Sequence, residues 1–144
     1  KFVENFYNDT VLVMNSDLLT TISFEEMYMR HIEEVADVTI AAIPYVVSVP
    51  YAILTTDGAN VNGIEEKPSY SYYANAGIYI FSNKLLDTVP SDSRTDATDL
   101  IEQAIDKGLK VVYYPINGTW IDVGSPNDFK QAQDLMRHHN DLIK

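Results

Sequence analysis

The order of apolar and polar positions along the chain predicts alternating strands and helices. Thr10 to Met14 (T-V-L-V-M) is an unbroken β-branched and apolar run, the pattern of a strand buried on both faces, and it stops at Asn15-Ser16-Asp17. Ser23 followed by Glu26 is a capping-box signature, after which Phe24, Met27, His31 and Val35 recur at helical spacing. Asp37 to Ile43 (D-V-T-I-A-A-I) reads as a second buried strand, stopped by Pro44. Strand, helix and strand within about 35 residues predict a right-handed βαβ unit.

The pattern then changes. Tyr51 to Leu54 and Val61 to Glu65 flank Thr56-Asp57-Gly58, which predicts a hairpin, and Pro68 ends its second strand. A tyrosine-rich loop leads to a strand at Ala74 to Phe81 (A-N-A-G-I-Y-I-F). Asp96 caps a helix through Lys107, and Gly108 stands where a left-handed residue closes it. Leu109 to Tyr114 is another strand, with a short one around Thr119 to Ile121. Ser125-Pro126 opens the last helix, with Asp128 in its first turn. The sum is one α/β unit with a mixed sheet, parallel first and antiparallel later.

Composition narrows the function. The chain has 144 residues, 46% hydrophobic and 22% charged, with a net charge of -11. A domain of this length buries roughly 70% of the surface its unfolded chain exposes. An acidic surface repels nucleic-acid backbones and anionic lipid, so neither is an expected partner. Cysteine is absent, which excludes disulfides and thiolate metal sites. No apolar run is long enough to span a membrane, no signal peptide is visible, and the cytoplasm is the expected compartment. The chain opens with Lys1 and the apolar Phe2-Val3-Glu4-Asn5-Phe6-Tyr7, which reads as the end of an element whose beginning is missing.

Several positions carry candidate chemistry. Asp17 follows the carboxyl end of the first strand, the edge where open α/β sheets bind ligands. A carboxylate there suits Mg2+, although Asn-Ser-Asp is equally a turn signal. In Glu65-Glu66-Lys67-Pro68, Lys67 offers a point charge to a phosphate and Glu66 can accept from sugar hydroxyls; a charged, blunted edge strand is the plainer alternative. Asn75 can both donate to and accept from a sugar, and Gly77 allows a close backbone approach; a β-bulge explains both equally well. In Trp120-Ile121-Asp122-Val123-Gly124-Ser125-Pro126, an ordinary strand–turn–helix junction accounts for Gly124 to Pro126 but not for Asp122 or Trp120. His31 reads as a packed core residue, and His138 and His139 as part of a solvated face. Tyr70, Tyr72 and Tyr73 can wall a sugar site or pack against a further segment.

Taken in order, Asp17, Glu66-Lys67-Pro68, Asn75-Ala76-Gly77 and Trp120-Ile121-Asp122-Val123-Gly124 resemble the sugar-1-phosphate nucleotidyltransferases, among them glucose-1-phosphate thymidylyltransferases and mannose-1-phosphate guanylyltransferases. The resemblance covers the chain from about Asp9 onward. It implies a nucleotide-diphospho-sugar transferase-like, Rossmann-like mixed sheet flanked by helices, with residues 1–144 as the C-terminal part of a single domain. It implies Asp17 and Asp122 as ligands of a catalytic Mg2+, Lys67 on the sugar phosphate, and Glu66, Asn75, Gly77 and Tyr51 around the sugar. The implied reaction joins a sugar 1-phosphate to a nucleoside triphosphate and releases pyrophosphate, in a protein that can form homo-oligomers.

Three departures qualify it. Ser16 stands before Asp17 where the family has Gly, Ala52 follows Tyr51 where the family has Gly, and the glycine-rich, Arg-containing triphosphate loop has no counterpart. The resemblance therefore implies that this stretch alone does not catalyse the reaction. Two other readings stay open: a non-catalytic nucleotide-sugar sensor, which has no need of both aspartates, and a related-fold glycosyltransferase, whose D-x-D motif Asn15-Ser16-Asp17 fits only loosely.

Overall fold

The computed structural model describes residues 9–90 and 94–142, with side chains through 137. The element expected at Phe2 to Tyr7 lies outside the described residues. Four strands form the central sheet in the order β1 (Thr10–Met14), β6 (Ser69–Ser82), β3 (Val38–Ser48) and β7 (Val111–Pro115). β6 runs antiparallel to both β1 and β3, while β3 and β7 are parallel. The expected βαβ unit is thus split. β1 and β3 share a direction, but β6 lies between them.

Helix α1 (Phe24–Glu33) starts where the capping signature puts it, with Ser23 Oγ accepting from the Glu26 N–H at 3.2 Å. It buries Met27 and His31 against the sheet and packs on β3 and β7. Val35 departs from the expected inward face: it lies beyond the helix end and is 82% exposed. On this side of the sheet Met27, Ala41, Ala76, Ile78, Ile80 and Ile116 form one core. On the other side α2 (Asn83–Leu86) and α3 (Ala97–Asp106) cover Val38, Tyr79 and Phe81 with Leu85, Leu100, Ile101 and Ala104. Each fully buried Val, Leu, Ile, Phe or Met among these stabilises the fold by about 1.5–3 kcal/mol.

Two strands are longer than the sequence pattern suggests. β3 continues through Pro44 to Ser48, and β6 begins at Ser69, so Tyr70, Tyr72 and Tyr73 are strand residues, not a loop. β7 pairs with β3 only as far as Ala42, so Pro44 sits where one flank of β3 has no partner to need its missing N–H. Ser-Tyr alternation is itself a period-two pattern, and Tyr45 pairs with Tyr72 and Val47 with Tyr70. The result is a two-stranded arm beyond the sheet. β4 (Ile53–Asp57) and β5 (Asn60–Glu65) extend it as a hairpin turning at Gly58 and Ala59.

A separate ladder pairs β2 (Leu18–Thr20) with β8 (Trp120–Asp122), and α4 (Pro126–Leu142) follows. Among the described residues no helix is long and apolar enough to cross a membrane.

Candidate active site

β1, β3 and β7 run the same way, so Asn15 to Asp17 and the chain after Pro115 leave from one edge of the sheet, the carboxyl edge. There the β2–β8 ladder sets Leu18 directly opposite Asp122, and the Val123 N–H donates to the Asp17 carbonyl at 2.8 Å. Two aspartates 105 positions apart in sequence (122 minus 17) thereby become neighbours. Asp17 projects from the turn before β2, not from the strand itself. Both aspartates are exposed, and neither carboxylate hydrogen-bonds to another described residue. Their oxygens are free to face a ligand.

Next to them the sheet is deformed. Between Tyr79, which faces Ile40, and Asn75, which faces Ala42, three residues of β6 stand against the single Ala41 of β3. Gly77, inside this bulge, has φ 72° and is buried. A Cβ there would lie 2.6 Å from Asn15 Nδ2, and the Asn15 N–H donates to the Gly77 carbonyl at 2.9 Å. The close approach at Gly77 is therefore made by Asn15. The Gly77 N–H donates to Asn75 Oδ1 at 2.9 Å, which uses the amide oxygen and leaves the Asn75 NH2 group. Trp120 closes the same region, its indole N–H donating to the Ala76 carbonyl at 2.9 Å. The sequence marks Trp120 as unusual without showing that it ties β8 to the bulge.

Asn75 also lines a cavity of about 310 Å3 with Tyr73, Tyr113, Thr98 and Glu102. The Tyr73 and Tyr113 rings lie 4.5 Å apart at 38°, and the interaction with the neighbouring Tyr113 hydroxyl raises the Tyr73 phenol above its ordinary value. Tyr113, Thr98 and Glu102 give no motif in the sequence, because three separate elements bring them together.

Tyr51, Glu66 and Lys67 form a second group at the base of the β4–β5 hairpin. The Val49 N–H donates to the Pro68 carbonyl at 2.9 Å, which clamps the two chain segments carrying them. All three are exposed. Lys67 has φ 44°, an uncommon conformation for a non-glycine residue and the kind of backbone strain that clusters at ligand sites. Six strand positions of β6 separate Ser69 from Asn75, about 20 Å of extended chain. Among the described residues no hydrogen bond or ion pair joins Glu66 or Lys67 to the two aspartates.

His31 is buried and its Nδ1 lies 2.8 Å from Thr39 Oγ1; burial pushes its pKa down, with Asp37 opposing. The side chains of His138 and His139 lie outside the described residues. A cavity of about 570 Å3 at the opposite, amino edge is lined by His31, Asp37, Asp9 and Lys84 and shares no residue with the group at the carboxyl edge.

Residues 1–139 match a family model described as nucleotidyl transferase. A glucose-1-phosphate adenylyltransferase of Fusobacterium nucleatum subsp. nucleatum is 32% identical, the match covering 99% of this chain and 40% of the relative. One from Clostridium perfringens is 30% identical with the same coverage, 99% and 40%. The chain thus spans 40% of the length of these curated relatives. The crystal structure of HddC from Yersinia pseudotuberculosis superposes with a TM-score of 0.64 at 22% identity, over 90% of this chain and 56% of that one. At that identity the likeness speaks for the fold alone.

Proposed function

The chain belongs to the nucleotidyl transferase family, and from that premise we propose that it is the sugar-side and metal-side part of a catalytic unit joining a sugar 1-phosphate to a nucleoside triphosphate. The observation that carries this reading is the β2–β8 ladder, which makes neighbours of Asp17 and Asp122 at the carboxyl edge. The names of the relatives support the substrate class.

The donor set fits Mg2+. It offers two exposed carboxylates, hard oxygen donors, and among the described residues no cluster of three or more His, Cys, Asp or Glu. That matches a cation held by one or two carboxylates, with phosphate oxygens and water completing its shell. Bound there, Mg2+ would neutralise charge on the phosphates and help align them. The protein's own residues do the rest by position. Asp17 and Asp122 fix the edge at which the phosphates gather. With the two-stranded arm bent toward the carboxyl edge, Lys67 would offer a compact positive charge to the sugar phosphate, and Glu66 and Tyr51 beside it acceptor and donor groups to hydroxyls. Asn75, with the Tyr73–Tyr113 pair and Thr98, supplies a polar and aromatic wall for a ring. Displacement at phosphorus needs alignment and charge neutralisation more than covalent help; this residue set would supply the alignment, and Lys67 with the bound cation the neutralisation.

The glycine-rich cradle for the triphosphate lies outside these 144 residues on this reading. The compartment it implies is the cytoplasm, and the role is nucleotide-sugar supply for surface glycans. The test uses the complete catalytic unit with a hexose 1-phosphate, a nucleoside triphosphate and Mg2+, reading pyrophosphate release. Asp122→Asn should lower turnover by at least about 100-fold, the scale of removing one charge-stabilising group, with the circular dichroism spectrum unchanged. Full turnover in that variant would remove Asp122 from the chemistry.

A further inference from the structure

The loop between β7 and β8 joins two fixed points. The Ile116 N–H donates to the Ala42 carbonyl at 2.8 Å; three residues on, the Thr119 N–H donates to Thr21 Oγ1 at 2.9 Å and the Thr119 carbonyl accepts from the Thr21 N–H at 3.0 Å. Asn117 and Gly118 between them are exposed, and among the described residues neither makes a backbone hydrogen bond. Gly118 has no side chain to shield its nitrogen. Together with Trp120 and Pro44, Asn117 and Gly118 line a cavity of about 430 Å3.

We propose that Asn117 is a site of spontaneous deamidation that places a new carboxylate on this cavity wall. The Gly118 amide nitrogen, losing its proton to base, attacks the Asn117 side-chain carbonyl carbon. A C–N bond forms, the bond to the amide NH2 breaks, and ammonia leaves with a proton from solvent. Water then opens the resulting cyclic imide at either carbonyl. One opening gives aspartate; the other gives isoaspartate, with an extra methylene in the main chain. Asparagine is a thermolabile residue for this reason.

The fold singles out Asn117 from a second copy of the same dipeptide. Asn62-Gly63 lies inside β5, where Asn62 is the extra residue at a register shift; Gly63 and Val61 on either side of it pair with Thr55 and Thr56, so strand pairing holds both flanks of the backbone that would have to turn. Asn117-Gly118 belongs to no ladder: the loop is tied at Ile116 and Thr119 and Gly118 packs against Thr21, but among the described residues the Gly118 N–H itself makes no backbone hydrogen bond. Both products matter for the neighbouring strand. Aspartate adds a negative charge to a chain already at -11, five positions from Asp122, and on the reading above it repels incoming phosphate. Isoaspartate lengthens a segment whose two ends are hydrogen-bonded in place.

The chain is incubated folded at mildly alkaline pH and, in parallel, unfolded in urea; peptides are then mapped by mass spectrometry with isoaspartate detection. In the folded chain the Asn117 peptide should convert several-fold faster than the Asn62 peptide, and in urea the two should convert at similar rates. Asn117→Gln, whose longer side chain closes the ring poorly, should abolish the signal from that peptide. An intact Asn117 in the folded chain while Asn62 reacts overturns the proposal. So does a folded-state rate no greater at Asn117 than at Asn62. None of these readouts depends on catalytic activity, so a failure here is separable from a failure of the proposed function.

Discussion

At the end of α1 the Ala36 N–H donates to the His31 carbonyl and the Val35 N–H to the Ile32 carbonyl, both at 3.0 Å. The end of α3 repeats this pattern, with Leu109 bonded to Ala104 at 3.0 Å and Gly108 to Ile105 at 2.9 Å. Both are Schellman closures, which put one residue in the left-handed region. At α3 that residue is Gly108, with φ 71°; at α1 it is Val35, with φ 49°. A β-branched residue in that conformation costs about 1–2 kcal/mol, while a glycine there gives back part of the gain through the freedom of the unfolded chain. Val35→Gly should therefore stabilise the chain by about 1 kcal/mol, raising Tm by about 3 °C at this size. Calorimetry checks it; a lower Tm would mean that Val35 makes a contact outweighing its strain.

On the scale of elements, α1 and β3 meet through a buried polar pair, His31 and Thr39. Burial lowers the His31 pKa from 6.5, and Asp37 only partly offsets this. Below about pH 6.5 the unfolded chain takes up a proton that the folded chain resists, so stability falls as pH falls through that value and then levels once the folded form also protonates. His31→Gln, which keeps a hydrogen-bonding group beside Thr39, should flatten this part of the curve of denaturation midpoint against pH. An unchanged slope would show that another group titrates there.

The same scale shows what the sequence made legible. Ser23, Asp96, Gly108 and Ser125 signal helix ends through interactions with residues close in the chain, and those ends fall where expected; Ser125 Oγ donates to Asp128 at 2.6 Å. The burial of His31 followed from its place on the helical face. The insertion of β6 between β1 and β3, and the run of β3 through Pro44, depend on partners far away in sequence. For the candidate site, the residue types and their order were legible. Their division into a carboxyl-edge group and a hairpin-base group was not, because β-ladder register creates it.

For the molecule as a whole, one flank of the central sheet leaves apolar side chains uncovered beside an open strand edge. α1 holds β7 on one side through Glu26 and the Tyr114 hydroxyl at 2.7 Å and through Glu34 and Lys110 at 3.0 Å. Phe24, Tyr28 and Ile32 lie exposed on the other side, toward β1. Among the described residues β1 pairs on one side only; it exposes Leu12 and Met14 and has no charge, proline or bulge to blunt its edge. Such an edge is a template for another strand. The 144-residue chain should self-associate as concentration rises, and more so in salt, which screens the repulsion between copies carrying -11 each. Light scattering should show this, and Leu12→Lys should return it to monomer. A strictly monomeric wild-type chain at high concentration would mean that the flank is already covered.

Trp120 is the chain's single tryptophan, and its indole N–H is bonded to Ala76 inside the β6 bulge. Its fluorescence is therefore an optical probe of one place. Light absorbed by the indole and not by the ten tyrosines reads the strand that carries Asp122 and adjoins Asn117. Loosening of β8 can thus be followed by colour and quenching while the rest of the sheet stays dark.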